Sequence, residues 1–290
     1  MARRGLVSVV IPVRNERRHL PDQLDALAGQ AYDGPFEVVV VDNGSTDGSG
    51  DVARSFASRF RALRVVEAPR RGINHARNAG VRAARGEVVA FCDGDDVAAP
   101  GWLAALVGAL REDVDVVAGA LERAELNDRD ARTWRGTGAW TEYRLPNGFF
   151  QYVPGGNCAM PAAVARRIGW DEDFLFGSSD QEFFLRAQRL GLRIAVAPDA
   201  VMRHRLAEDL PELARQFYGY GAGGPLLYRR ERGRGLPRSD TRAALREWAG
   251  LVLGARRLAG TRAERGAWVR TAALRSGRLI GSVRRGVLYL

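Results

Sequence analysis

Three carboxylates fall within four positions in Asp93-Gly94-Asp95-Asp96, at the exit of the apolar run Val88 to Cys92. Like charges this close repel unless a cation or a proton sits between them, so the spacing points to a hard divalent ion such as Mg2+ or Mn2+ and, through it, to a phosphate. An acidic strand-to-loop turn has the same composition, and the tetrad alone does not separate the two. An EF-hand loop is excluded: counted from Asp93, the closing position is Ala104, and two further ligand positions hold Val97 and Gly101.

Other segments carry chemistry at strand ends. Val9-Val10-Ile11-Pro12-Val13-Arg14-Asn15-Glu16 is a buried-type strand stopped by polar residues, and Val39 to Asp47 is another, ending on Asp42 and an acidic turn. Further on come Asn74 to Gly80 with Arg77 at its centre, Gly155-Gly156-Asn157, Ser179-Asp180-Gln181-Glu182, and His204, one of three histidines.

The elements that must position these residues are legible from periodicity. Apolar runs rich in valine, Leu6–Val13, Phe36–Val41, Leu63–Glu67, Val88–Cys92 and Val114–Gly119, alternate with helical segments in which Leu20, Leu24 and Leu27 share one face and Val52, Phe56 and Phe60 another. That pattern predicts an α/β layer with a largely parallel sheet, and each run but the last ends beside a polar cluster, where open sheets bind ligands. Residues 121 to 154 lose the periodicity and collect glycines, prolines and aromatics. Regular structure returns with a helix near Pro161, another from Ser179 to Leu190 with Ser179 as its N-cap, and the run Leu192 to Val196. After Pro211 the pattern is of helices joined by a Gly/Arg-rich stretch, Gly219 to Pro237.

Composition narrows the classes. A chain of 290 residues with 46% hydrophobic content can bury a full core. No apolar run reaches the roughly 18 residues of a membrane-spanning helix, and the N-terminus leads into a strand rather than a signal-peptide core, so the expected location is the cytoplasm. Cys92 and Cys158 lack zinc or redox spacing and read as buried small residues. The net charge of +10 belongs to the tail: from Leu226 onward sixteen arginines face four acids. Lysine is absent, which removes any mechanism that needs its amine.

Taken together in this order, the strand-end motifs strongly resemble the family-2 glycosyltransferases with the GT-A fold, over roughly residues 5 to 206. The resemblance implies an α/β fold with a Rossmann-like nucleotide-diphospho-sugar transferase sheet flanked by helices as a catalytic domain at 1–206, followed by a basic helical C-terminal extension at 207–290. It implies a metal-dependent, inverting transfer of a hexosyl-type group from a nucleotide sugar, most simply a UDP-sugar, to an acceptor that is lipid-linked, a glycan, a peptide or a small molecule. Asp93, Gly94 and Asp95 match the Asp-any-Asp motif, with Asp95 as direct metal ligand, Asp93 facing the ribose or the metal through water, and Gly94 leaving room for the nucleotide; Mn2+ or Mg2+ is the implied ion. His204 matches the histidine that completes the metal site, against a purely structural histidine.

Asp42 matches the acid that accepts from the nucleobase, against a turn-capping role that suits Asp47 better. Pro12, Val13, Asn15 and Glu16 would wall the nucleoside pocket. Arg77 would approach the diphosphate or face solvent as an ordinary helical arginine. Gly155, Gly156 and Asn157 would lie under the sugar and acceptor. Trp134, Trp140 and Trp170 would stack on a sugar or fill core. Asp180 matches the general base that deprotonates the acceptor, against a surface acid at a helix N-terminus, although Ser179 replaces the usual preceding acid.

A non-catalytic nucleotide-sugar sensor or scaffold is the alternative that Ser179 keeps open. A nucleotidyltransferase would need a glycine-rich N-terminal loop and a lysine, and a dinucleotide-binding enzyme a glycine-rich first turn; Pro12-Val13-Arg14-Asn15 stands there instead. The tail, with Trp248, Leu251, Val252, Leu258, Trp268, Val269, Leu279 and Ile280 among arginines, reads either as a basic amphipathic helix pair docked peripherally on the inner face of an anionic membrane or as a helical cap with solvated arginines. Nucleic acid is not expected, since no reading motif accompanies the charge.

Overall fold

The computed structural model describes residues 5–135, 143–144, 151–152, 154–175 and 177–290. Two compact units form. One comprises Met1–Glu125, Ala139–Asp173 and Asp180–Arg205, the other Leu126–Gly138, Phe174–Ser179 and Leu206–Leu290.

In the first unit the strands are β1 (Val7–Val13), β2 (Phe36–Asp42), β3 (Leu63–Glu67), β4 (Val88–Cys92), β5 (Val97–Ala98), β6 (Val116–Glu122), β7 (Tyr143–Arg144), β8 (Gln151–Tyr152), β9 (Asn157–Pro161) and β10 (Ile194–Arg203). Eight of them make one sheet in the order β3-β2-β1-β4-β9-β6-β10-β5, and β7 pairs with β8. The helices here are α1 (Leu20–Ala28), α2 (Ser49–Ser55), α3 (Ile73–Ala83), α4 (Trp102–Ala109), α6 (Ala162–Ile168) and α7 (Ser179–Arg189), and α5 (Arg129–Arg135) lies in the second unit.

Successive side chains of a strand point to opposite faces, and the valine runs supply a core on both. Val9 and Ile11 of β1 pack with Leu20, Leu24 and Leu27 of α1 and Trp102, Leu103 and Leu106 of α4 on one face. Val10 of β1 and Val39 and Val41 of β2 pack with Ala76 and Val81 of α3 and Phe183 and Phe184 of α7 on the other.

Three expectations need refinement. The sheet is largely parallel, as expected, but mixed: β3, β2, β1, β4, β6 and β10 run the same way, whereas β9 is antiparallel to both β4 and β6, and β5 to β10. Strand direction depends on where the long 121–154 excursion re-enters the sheet, which periodicity does not record. It re-enters at the carboxyl edge, since Asn157 pairs with Cys92 and Pro161 with Val88. Next, the helix carrying Val52 ends at Ser55, and a 3-10 turn at Ala57–Arg59 follows, although Val52, Phe56 and Phe60 still pack on one core.

The third correction concerns the second unit, whose remaining helices are α8 (Leu210–Glu231), α9 (Thr241–Leu253) and α10 (Arg262–Arg285). Gly219 to Gly224 are not a linker but the middle of α8, with Pro225 inside it. A Cβ at Gly221 would strike the Leu274 carbonyl and one at Gly277 the Tyr218 carbonyl, so α8 and α10 approach backbone to backbone. Close packing outweighs the poor helix propensity of glycine. The ends are capped by side chains: Asp209 accepts from Glu212, Asp240 from Arg242 and Ala243, and Thr261 forms a capping box with Glu264.

Candidate active site

The carboxyl ends of β1, β2 and β4 and the start of β9 meet at one edge of the sheet, and the motifs sit there. The tetrad following β4 is pinned from below. Gln23, a fully buried polar residue on the otherwise apolar face of α1, donates to the Asp93 carbonyl at 3.0 Å and accepts from the Ala98 amide at 2.9 Å. A Cβ on Gly94 would lie 3.2 Å from Val13 Cγ2 and 3.7 Å from Glu16 Cγ, so the tetrad is seated against the loop after β1. That loop is built by Asn15, which takes a left-handed φ of 59° and accepts from the Thr46 amide at 2.8 Å through Oδ1. The Glu16 amide donates to Ser49 Oγ at 2.8 Å, and the Val13 carbonyl accepts from the Asn43 amide at 2.8 Å. Pro12 belongs to β1 and pairs with Val41. Asp42, 7% exposed, accepts from the Ser45 amide at 2.8 Å through Oδ1, a turn-forming bond of the sort expected of Asp47, which itself accepts from the Ser49 amide at 3.0 Å.

Arg77 does not face solvent as an ordinary helical arginine would. It is 3% exposed and lies between two acids, with Nη1 donating to Asp180 Oδ1 at 3.0 Å and Nη2 3.6 Å from Asp93 Oδ1. The guanidinium lies over the Trp170 ring at 4.3 Å, and Trp170 in turn stacks on Phe183 at 4.1 Å. Gly155 and Gly156 pass beside this arrangement. A Cβ on Gly155 would lie 2.6 Å from Asp180 Oδ1 and 2.9 Å from Arg77 Nη1, and one on Gly156 would collide with the Asp93 carboxylate. Asp93 and Asp180, far apart in sequence, are thereby joined through one buried cation.

The electrostatics are unbalanced. Burial and the negative charges of Asp96 and Asp180, opposed by Arg77 and His204, push the Asp93 carboxyl up to about 6. Burial and the repulsion of Asp96, Glu16 and Asp93 push Asp95 well above the ordinary carboxylate range. Asp93 Oδ1 and Arg77 Nε are buried without hydrogen-bond partners among the described residues. Buried polar atoms are seldom left so, and here both flank the tetrad.

The remaining candidates are placed as follows. Asp96, 2% exposed, accepts from the Arg205 amide at 2.9 Å and is bonded to His204 Nδ1 at 2.8 Å, so His204 is engaged by the third acid of the tetrad. Arg205 also donates to the Asp95 carbonyl at 3.0 Å and reaches Asp22. Among the described residues no three His, Cys, Asp or Glu side chains are gathered as a metal-binding group. The Asn157 side chain is fully buried, accepts from Trp102 Nε1 at 2.8 Å and donates to the Ala120 and Ala200 carbonyls, tying β9 to its neighbours. Trp134 and Trp170 are 1% and 3% exposed and fill core, Trp170 as the platform for Arg77; Trp140 lies outside the described residues. Sequence reasoning missed Gln23 and Arg205. The signal for Gln23 was a polar side chain within an apolar helical stripe, and for Arg205 only its place after His204.

Residues 8–169 match the family model described as glycosyl transferase family 2. The chain is 29% identical over 222 residues to glycosyltransferase AglE of Haloferax volcanii, covering 75% of this chain and 72% of that protein. It is 28% identical over 244 residues to the pre-mycofactocin glycosyltransferase of Mycobacterium tuberculosis, covering 77% of this chain but 48% of the relative. Among solved structures, the fold is similar to the mannosyltransferase PcManGT from Pyrobaculum calidifontis in complex with GDP-Man and Mn2+, at a TM-score of 0.57 and 21% identity over 98% of this chain and 88% of that one. It is likewise similar to S. aureus TarS 1-349 in complex with UDP, at 0.55 and 20% over 98% and 93%. The strand-end motifs, the GT-A sheet and the matched family model agree: the chain belongs to the family-2 glycosyltransferases.

Proposed function

We propose that the chain is an inverting glycosyltransferase that moves a sugar from a nucleotide sugar, most simply a UDP-sugar, to an acceptor nucleophile, with Asp180 as general base and a divalent cation at the tetrad. The observation that carries this reading is the bridge Asp93–Arg77–Asp180, which holds the acid proposed for the donor within reach of the acid proposed for the acceptor, on either side of a guanidinium.

The donor set suits a divalent cation. Asp93 and Asp95 offer hard oxygens, Asp93 Oδ1 lacks a hydrogen-bond partner among the described residues, and mutual repulsion favours a bound positive charge. Asp93 and Asp95 would hold such an ion together with oxygens of the bound nucleotide and water. The ion, when bound, would supply charge neutralisation for the leaving diphosphate.

The other steps fall to side chains. Asp42, oriented by the Ser45 amide, offers its second oxygen to the imide N–H of uracil, beside the loop of Pro12 to Glu16. Asp180 takes the acceptor proton as the nucleophile attacks opposite the leaving group. Arg77, which donates to Asp180, keeps that carboxylate aimed, a positioning role beside its proposed approach to the diphosphate.

Thermal shift with UDP tests the donor site. Stabilisation is expected to require Mn2+ and to vanish in Asp95→Ala. A UDP shift that ignores Mn2+ and survives Asp95→Ala would overturn the metal assignment.

A further inference from the structure

In the second unit, α9 presents a surface that the helix packing does not use. Its inward face is formed by Ala244 and Leu251, both buried, with the Leu251 carbonyl accepting from Trp268 Nε1 of α10 at 3.0 Å and Glu247 ion-paired with Arg275. The opposite face carries Leu245, Ala249 and Val252 at i, i+4 and i+7, one helical stripe, with Leu253 beside it. These large side chains are strongly exposed: Leu245 61%, Val252 75% and Leu253 82%. The 3-10 turn that follows, Ala255–Ala259, adds Leu258 at 44% and has no buried residue.

Arginines border this apolar strip. Arg242 and Arg246 lie along α9, and Arg256 and Arg257 are exposed in the turn. The neighbouring acids are occupied: Asp240 caps α9, Glu247 holds Arg275, and Glu264 closes the capping box of α10. No acid lies between Glu247 and Glu264.

We infer that the outer face of α9 and the Ala255–Ala259 turn is a docking surface for an anionic lipid bilayer, with Leu245, Val252, Leu253 and Leu258 entering the acyl boundary and the four arginines meeting headgroup phosphates. Apolar residues in the middle and cations at the rim are what an interfacial helix needs. A second copy of this chain fits poorly, because pairing the strip with itself would set Arg246, Arg256 and Arg257 against their own counterparts. Nucleic acid would use the arginines and leave the leucines and valine without a function. The structure also refines the sequence expectation. Leu251 faces inward and Trp248, Trp268 and Val269 are half-buried, so of the residues the periodicity of the tail suggested Val252 and Leu258 belong to this surface, and Leu245 and Leu253 join them.

Co-sedimentation of the full chain with phosphatidylglycerol–phosphatidylcholine vesicles and with pure phosphatidylcholine vesicles tests this. Binding to the anionic vesicles, weak binding to the neutral ones and release by salt are expected. Arg256→Glu with Arg257→Glu and, separately, Val252→Asp with Leu253→Asp should each weaken binding by about tenfold or more. Unchanged melting temperatures in both double variants would show that folding is not the cause, since all four side chains point outward. Equal and negligible binding to both vesicle types would overturn the proposal and leave a protein partner as the occupant. Binding that falls with the arginines but ignores Val252→Asp with Leu253→Asp would also overturn it, marking a purely electrostatic surface suited to any polyanion.

Discussion

Arg77 has two obligations and can be tested for both. Buried over Trp170, it is the counter-charge of Asp93 and Asp180, and removing it leaves both acids facing each other across Gly155-Gly156. Arg77→Ala should cost about 3 kcal/mol in urea unfolding. Arg77→Lys should recover part of the stability but little of the turnover, because an ammonium cannot address both carboxylates from a stacked plane. The pH behaviour of Asp93 follows from its raised position. The folded chain favours the protonated acid, so this stabilising contribution is complete below the ordinary value of 3.8 and is lost as pH rises through about 6. Urea midpoints of the metal-free protein should therefore carry a falling component across that window, which Asp93→Asn removes, while Mn2+ affinity should rise across it. At this scale the sequence was most informative where residue type alone limits chemistry, as in the tetrad, and least where partners come from afar. Nothing local to Arg77 announces a buried double ion pair, and nothing local to Asn157 announces three partners drawn from α4, β6 and β10.

At the scale of elements, the valine runs located the strands of the sheet's first half almost to the residue, because a strand buried on both faces leaves an uninterrupted apolar signature. The direction of β9 was not legible, and it matters: running antiparallel from the carboxyl edge, β9 brings Gly155-Gly156 against the Asp93 and Asp180 carboxylates, where any side chain would intrude. The glycines of α8 misled for a related reason. Local propensity reads Gly219 to Gly224 as a break, but Gly221 lies against α10, some fifty residues later in the chain, and Gly223 against Gly177. Gly277→Val, placing a side chain on the Tyr218 carbonyl, should force α8 and α10 apart and lower stability by about 2 kcal/mol, read as a shift in urea midpoint.

For the molecule as a whole, membership in the family and the sheet that carries it were legible, since motif order and hydrophobic pattern both survive in a single sequence. The donor sugar and the acceptor were not, because selectivity resides in irregular segments whose side-chain placement no periodicity encodes. The charge is concentrated after Leu226 and belongs to the helical unit. The chemistry at the sheet edge is the central claim, and the release of UDP from a panel of UDP-sugars in the presence of Mn2+, compared between the wild-type chain and Asp180→Asn, tests it most directly. The account predicts release by the wild type with at least one donor, and a fall of about a hundredfold or more in Asp180→Asn while Mn2+-dependent UDP binding persists. Asp180→Asn releasing UDP at the wild-type rate would contradict it, as would binding of UDP-sugars by the wild type with neither hydrolysis nor transfer.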